Sequence, residues 1–160
     1  MSVTISELNN TNTQSLSNVV SKGYLSTKRT LDLVVIAAVL PFVAVIMAIT
    51  AVAIKLESSG SVFFWQKRVG MDGKTFNMMK FRSMTSDSEA KGSQFAQSND
   101  MRVTRIGKFI RKFRIDELPQ LWNVVKGDMS IIGPRPEQES FVNEFNQTIP
   151  NYRMRHLVRP

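Results

Sequence analysis

An uncharged apolar run, Leu33 to Ile54, constrains this chain more than any other feature. It holds about 22 residues, and a helix of that length, at about 1.5 Å of rise per residue, matches the hydrocarbon thickness of a bilayer. The length of the run, and its start after some 30 residues, fit a cleaved signal peptide poorly. The sequence therefore predicts a membrane helix over residues 27–56, preceded over residues 1–26 by a mobile arm rich in Ser, Thr and Asn.

The path of that helix through a membrane is left open by its residues. Pro41 lies near the middle, where it removes one helical hydrogen bond and favours a kink. Basic residues flank both ends, so the Lys/Arg asymmetry that normally orients a membrane span is nearly absent. An ordinary spanning helix with a proline kink is the interpretation that the pattern alone favours. A re-entrant helix that returns to the side it entered is the alternative.

The charge of the chain predicts a polyanionic partner. The formal net charge is +8, and all but three of the 21 Lys and Arg residues follow the apolar run. Nucleic acid, an anionic membrane surface and phosphorylated substrates would each suit this charge. The chain has no cysteine and one histidine, which excludes a disulfide framework and thiolate or multi-histidine metal sites. Any metal would be held by oxygen, which favours Mg²⁺ or Mn²⁺.

Residues 57–160 predict one small α+β domain, rich in helix, with a β-hairpin. Two apolar-rich strands flank the turn sequence GMDG at residues 70–73. The polar segment from Thr85 to Asp100 is typical of a loop or lid. Helical spacing of apolar residues predicts three helices, over Thr104–Phe113, Leu118–Val125 with Gly127 placed to end it, and about Glu137–Phe145.

An acidic pair, Asp116 and Glu117, stands inside a strongly basic stretch. One interpretation is structural: Asp116 is the N-cap of the second helix, and Glu117 in the first turn complements the helix dipole. The other is chemical, because Arg111 and Arg114 would favour ionised carboxylates and also gather phosphates. A carboxylate beside a phosphate site can attack phosphorus, and its neighbour can hold Mg²⁺. The pair can serve as cap and catalyst together.

The sequence Gly133-Pro134-Arg135-Pro136 fixes the backbone in a non-helical path and presents one guanidinium. The planar fork of that group suits a phosphate or a base edge. By itself the segment is equally typical of a plain turn.

Four ordered blocks carry a family resemblance: KRTLDLV, QKRVGMDGKTFNMMKFRSM, RIDELPQLWNVVKGDMSIIGPRP and RMRHLVRP. With these blocks the chain resembles, from about Thr27 onward, the bacterial sugar transferase family, the monotopic phosphoglycosyl transferases. The resemblance implies a re-entrant membrane helix broken at Pro41 and a catalytic domain on the cytoplasmic side of the bacterial inner (plasma) membrane. It implies transfer of a sugar 1-phosphate from a UDP-sugar to undecaprenyl phosphate, the first membrane step of exopolysaccharide, capsule or O-antigen-type glycan biosynthesis.

The resemblance also implies roles for individual residues. Asp116 would be the nucleophile that forms a covalent phosphosugar intermediate, and Glu117 would help to bind the Mg²⁺ cofactor. Arg135, with Pro134 and Pro136, would bind the nucleotide. The remaining basic residues in the matching blocks would bind phosphate; they are Lys80, Arg82, Arg111 and Arg114.

The resemblance leaves several questions open. The family normally continues past RHLVRP with a glycine-rich segment, which implies a chain that is incomplete at its C-terminus. A truncated, inactive transferase that acts as a membrane-bound scaffold for glycan-assembly glycosyltransferases is therefore the alternative function.

No nucleic-acid partner is expected, because the chain lacks an aromatic platform and a recognisable reading helix. Substrate phosphates and anionic membrane lipids account for the charge, and the predicted helix Thr104–Phe113 either lies on the membrane or packs into the core. The sugar is left open among glucose, galactose and N-acetylated hexosamines.

Overall fold

The computed structural model describes residues 21–85 and 102–160. It is a mixed α and β structure with one two-stranded sheet, which confirms the predicted α+β class and hairpin. The described residues also form three short 3-10 segments, Met71–Gly73 and Ile115–Glu117 between elements and Tyr152–Leu157 after the last helix. The regular elements are α1 (Lys22–Glu57), β1 (Phe63–Val69), β2 (Thr75–Phe81), α2 (Arg105–Lys112), α3 (Gln120–Lys126) and α4 (Glu139–Thr148).

The long helix α1 has 36 residues and contains Pro41 in its interior. It is the one helix in the described part of the chain that is long and apolar enough to cross a membrane. Large apolar side chains project outward along it, with Phe42 74% and Ile49 66% exposed. The predicted arm lies outside the described residues up to residue 20, and the helix begins at Lys22.

The chain forms two compact units. The first comprises the described residues up to Val35 together with Lys67–Phe76 and Val124–Pro160. The second comprises Ile36–Gln66 and the described part of Asn77–Asn123. The names "first unit" and "second unit" refer to these residues below.

In the second unit, the core is built around Ile54, Phe81 and Ile110, each 2–3% exposed. Phe63 stacks on Phe81 with the ring centroids 5.4 Å apart. Ile106 packs against the same cluster, so one face of α2 belongs to the core. The remaining apolar residues that defined the predicted helix, Phe109 and Phe113, are 57% and 56% exposed. The apolar face of this helix is therefore divided between core and surface.

Two polar side chains satisfy the first turn of α2 in the second unit. Thr104 caps α2 by accepting a hydrogen bond from Gly107 N at 2.8 Å. The Glu57 carboxylate accepts from Arg105 N at 2.8 Å and from Ile106 N at 3.2 Å. Backbone N–H groups in the first turn of a helix have no partner within the helix, so these bonds satisfy α2 from outside.

In the first unit, the start of α1 is held by polar contacts. The Arg29 guanidinium donates to the carbonyls of Val124 and Val125, the latter at 2.7 Å. Ser130 Oγ donates to the buried Asp32 carboxylate at 2.6 Å, and Lys28 Nζ lies 3.5 Å from the same carboxylate. A buried carboxylate needs this compensation because isolated burial of a charge is costly.

The other predicted elements agree with the structure apart from their boundaries. Gly127 ends α3 with φ of 93°, a left-handed conformation that glycine adopts without steric cost. The predicted third helix begins at Glu139 and extends to Thr148. Of the predicted loop from Thr85 to Asp100, only Thr85 lies within the described residues, where its N–H donates to Arg102 O at 3.0 Å.

A pair of helical glycines tests the packing of the second unit. A Cβ at Gly107 would lie 2.0 Å from the carbonyl oxygen of Ser83, a backbone atom that a side-chain rotation cannot move. We expect Gly107→Ala to lower the free energy of unfolding by about 2 kcal/mol or more, despite the better helix propensity of alanine. Gly23→Ala is the matched control, because the nearest atom to its Cβ is Ser21 Oγ at 3.4 Å. Denaturant unfolding in detergent measures the stability of both variants. Equal stability of the two would contradict the close packing at Gly107.

Candidate active site

The acidic pair lies in the 3-10 segment Ile115–Glu117, which contacts α2. Arg114 precedes it with φ of 58° and ψ of 19°, a left-handed conformation that redirects the chain. The segment closes with Leu118 N donating to Ile115 O at 3.1 Å, and α3 begins only at Gln120. The prediction that Asp116 is a helix N-cap is therefore wrong, because Asp116 lies inside a separate turn ahead of α3.

The side chain of Asp116 is buried and incompletely hydrogen-bonded. It is 9% exposed, and its Oδ1 atom has no hydrogen-bond partner in the described part of the chain. Burial raises the pKa of this carboxyl above its ordinary value, the charge of Lys80 lowers it, Glu117 raises it and Arg111 lowers it. Burial is the dominant effect, so the ionised form is less favoured here than in water. The unpartnered oxygen is itself buried, so its hydrogen-bonding capacity is left unsatisfied by the described residues.

Glu117 is held by cations on both sides. Its Oε1 atom accepts a hydrogen bond from Lys80 Nζ at 3.1 Å and lies 3.7 Å from an Arg114 nitrogen. The Lys80 and Glu117 side chains are only 14% and 25% exposed, so solvent screens this pair less than a surface pair. The predicted carboxylate pair therefore lies beside at least two predicted phosphate-binding residues.

Lys80 owes its position to a residue that the sequence analysis did not identify. Asn123 is fully buried, with its Oδ1 accepting from Met79 N at 2.9 Å and its Nδ2 donating to Asn77 O at 2.8 Å. The side-chain amide thus binds β2 at Asn77 and Met79, the two residues on either side of Met78 and just before Lys80. A polar residue at a core position between Trp122 and Val124 was the available signal.

The two remaining cations of this group differ in their contacts. Arg111 Nε donates to Ser83 Oγ at 2.7 Å, and its charge acts on Asp116. Arg82 donates to Ser58 O and Ser58 Oγ, both at 2.9 Å, at the end of α1. Lys80, Arg111 and Arg114 are thus gathered around the carboxylates, whereas Arg82 binds the chain at the end of α1.

Pro134, Arg135 and Pro136 belong to the first unit. Arg135 is exposed and Pro136 is buried. Gly133 precedes them because of a close approach: a Cβ there would lie 2.3 Å from Arg159 O. Burial lowers the pKa of nearby Arg68, Glu137 raises it, and the positive charge of Arg135 lowers it further. Two guanidinium groups therefore act on each other beside this segment.

The carboxylates can provide part of a metal site. Among the described residues there is no group of three or more His, Asp or Glu side chains that could hold a metal. Mg²⁺ usually takes only one or two protein carboxylates and completes its shell with water and substrate phosphate oxygens. The buried, unpartnered Asp116 Oδ1 and the adjacent Glu117 fit such a partial site, and they do not form a complete cage.

Comparison with known proteins places these features in a family context. The model of the family described as bacterial sugar transferase matches residues 23–160. A UDP-N-acetylgalactosamine-undecaprenyl-phosphate N-acetylgalactosaminephosphotransferase of Aeromonas hydrophila is 56% identical over 137 residues, which are 86% of this chain and 32% of that protein. A UDP-glucose:undecaprenyl-phosphate glucose-1-phosphate transferase of Klebsiella pneumoniae is 44% identical over 134 residues, 83% of this chain and 29% of that protein.

A second protein of that name, from Caulobacter vibrioides, is 42% identical over 133 residues, 83% of this chain and 50% of its own length. The chain therefore spans about a third of the Aeromonas and Klebsiella relatives and half of the Caulobacter relative.

The burial of Asp116 predicts a stability gain on its replacement. Since the folded-state pKa is raised, folding favours the protonated carboxyl, and the stability of the protein falls as pH rises from the unfolded pKa through the folded one. We expect Asp116→Asn to raise the free energy of unfolding by about 1 kcal/mol at pH 8. The advantage should shrink as the pH falls through the folded pKa, where Asp116 itself becomes neutral.

Thermal unfolding in detergent at several pH values measures this effect. Asp72→Asn is the matched control, because Asp72 is exposed in the hairpin turn with φ of 57°, which asparagine tolerates. A destabilised Asp116→Asn variant, or a gain that does not vary with pH, would contradict the prediction.

Proposed function

The chain belongs to the bacterial sugar transferase family, and from that premise we propose that it transfers a sugar 1-phosphate from a UDP-sugar to undecaprenyl phosphate. The observation that carries the proposal is the buried Asp116 carboxylate, with one unpartnered oxygen, acted on by the charges of Lys80 and Arg111. A poorly solvated carboxylate beside cations is suited to attack a phosphorus atom. The family is one of sugar-phosphate transferases, so an enzymatic role follows from membership.

The reaction proceeds by two displacements at one phosphorus atom. In the first, an oxygen of ionised Asp116 attacks the phosphorus that bears the sugar, the bond to the bridging oxygen breaks, and UMP leaves with the electron pair. In the second, an oxygen of undecaprenyl phosphate attacks the same phosphorus and forms a diphosphate, which releases the Asp116 carboxylate. Because each substrate reacts with the enzyme in turn, a water-soluble and a lipid substrate never need to bind together.

The surrounding cations stabilise the charge that this chemistry moves. Lys80, held beside the pair by the Asn123 contacts to β2, and Arg111 balance the negative charge that collects on the phosphate oxygens. Arg114, whose side chain is 71% exposed, is placed to meet an entering phosphate. Mg²⁺, when bound by Glu117, would supply further neutralisation of those oxygens. In the first unit, Arg135 with Pro134 and Pro136 binds the nucleotide.

The proposed location is the cytoplasmic face of the bacterial inner membrane. The outward apolar side chains of α1 support burial in lipid. On α2 the exposed Phe109 and Phe113 lie beside Lys112, whose Nζ is 5.6 Å from the Phe113 ring centroid. Exposed aromatic groups next to lysine are typical of a helix at a membrane surface, where the basic residues meet anionic lipid.

Donor identity is proposed from the relatives. The Aeromonas protein, at 56% identity, is named for UDP-N-acetylgalactosamine, and the two proteins named for UDP-glucose are 44% and 42% identical. UDP-N-acetylgalactosamine is therefore the first donor to assay, with UDP-glucose and UDP-galactose beside it.

The transfer reaction gives the direct test. Membrane-embedded protein, undecaprenyl phosphate, Mg²⁺ and each UDP-sugar should release UMP, and Asp116→Asn should reduce the release by about 10³-fold or more because the nucleophile is gone. Asp72→Asn should leave the rate within about twofold, as expected for a surface change. The rate should decline on the acid side as Asp116 becomes protonated, at a pH above that of an ordinary aspartate because burial raises its pKa. Folded wild-type protein that releases UMP with none of the donors would favour the scaffold alternative.

The topology of α1 has a separate test that exploits the absence of cysteine in this chain. A re-entrant helix bent at Pro41 places its two ends on the same side of the membrane, so single cysteines at the exposed Ser26 and Ser59 should react alike with an impermeant maleimide. Both should be protected in intact spheroplasts and labelled in inverted vesicles. Labelling of the two positions from opposite sides would establish an ordinary span.

A further inference from the structure

Three successive carbonyl oxygens are held where the chain passes through Arg135, Pro136 and Glu137. Arg155 donates to Arg135 O, Arg68 donates to Pro136 O at 3.3 Å, and Val69 N donates to Glu137 O at 2.9 Å. Arg68 also pairs with the Glu137 carboxylate at 3.3 Å. All of these residues belong to the first unit. The backbone at these three residues is thus fixed, while Arg135 itself is exposed and the adjacent Pro136 is buried.

Arg155, which donates to Arg135 O, is itself held by aromatic contacts. The Arg155 guanidinium lies 4.7 Å from the centroid of the Tyr152 ring and donates to the Tyr152 hydroxyl. Tyr152 packs on Phe145 of α4 with ring centroids 5.2 Å apart. A cation on an aromatic face keeps its planar group in one orientation. Arg155 is therefore a rigid donor, directed at the carbonyl of the residue proposed to bind the nucleotide.

We propose that Arg155 is a positioning residue for nucleotide binding, which acts by fixing the backbone of Arg135 through its carbonyl oxygen. This inference rests on the proposed function and adds a residue to its nucleotide site. A binding side chain on a backbone that is already ordered loses less conformational entropy when the ligand binds. The effect of Arg155 therefore belongs to nucleotide affinity and depends on the presence of the Arg135 side chain.

Arg155 is a better residue to test than Arg68. Arg68 is half-buried in an ion pair, and its removal would leave the Glu137 carboxylate without that partner, which destabilises a fold directly. Arg153 supplies the matched control: it is exposed, lies two residues away in the same 3-10 segment, and carries the same charge. The variants Arg155→Gln and Arg153→Gln remove identical charge from neighbouring positions.

The kinetic experiment uses UDP-N-acetylgalactosamine, or whichever UDP-sugar the wild type accepts. We expect Arg155→Gln to raise KM for the donor about tenfold with kcat within about twofold, and Arg153→Gln to change neither by more than about twofold. In an Arg135→Ala background, Arg155→Gln should have no further effect on KM, because the side chain that it positions is absent. Arg155→Lys keeps one donor and loses the planar stacking, so its KM should lie between wild type and Arg155→Gln.

Binding of UDP, measured by calorimetry on detergent-solubilised protein, separates the inference from the function. If UDP binding weakens in Arg155→Gln while no donor supports transfer by the wild type, the proposed function fails and the positioning role stands. If transfer occurs and Arg155→Gln leaves KM unchanged, or acts equally in the Arg135→Ala background, the positioning role is overturned. An equal rise of KM in Arg153→Gln, or a lower Tm with lower kcat and unchanged KM, would also overturn it.

Discussion

The buried amide of Asn123 is the contact on which the candidate active site depends. It binds both the N–H of Met79 and the carbonyl of Asn77, so the strand that carries Lys80 is bonded to the helix that follows the carboxylates. A side-chain amide offers a donor and an acceptor in one plane, which lets it take the place of a neighbouring strand. An apolar residue of the same size would leave the Met79 N–H and the Asn77 carbonyl without these partners. The ion pair between Lys80 and Glu117 is thus a consequence of a structural hydrogen bond elsewhere.

Helix ends show the same use of distant polar groups. Glu57 satisfies the first turn of α2, Arg82 binds the carbonyl of Ser58 beyond the end of α1, and Arg29 binds the carbonyls at the end of α3. A short helix gains little from its own hydrogen bonds, so partners from other segments decide whether it forms. Part of the high positive charge of the chain therefore stabilises helix termini, and only part of it remains to meet phosphate or lipid.

Local signals predicted the elements and the acidic pair with its neighbouring arginines, but not the contacts that hold them in place. The hairpin followed from GMDG, since Asp72 and Gly73 both adopt positive φ there, and the helices followed from apolar spacing. The family resemblance is confirmed by the match over residues 23–160. The cap assigned to Asp116 failed because Arg114 adopts a left-handed conformation that its residue type does not predict, and a separate 3-10 turn therefore precedes α3. The roles of Asn123, Glu57 and Arg155 involve partners 20 or more residues away, which no local pattern encodes.

The apolar residues along α2 divide into a pair that packs in the core and a pair that is exposed at the surface. Ile106 and Ile110 contribute to the core, whereas Phe109 and Phe113 lie outside that cluster and are more than half exposed. Polar substitutions at the two isoleucines would disrupt the core, whereas polar substitutions at the two exposed phenylalanines would leave the core intact. Screens that select for thermostability would therefore tolerate polar residues at 109 and 113, and would yield a well-folded protein without the exposed aromatic pair that we propose to meet lipid.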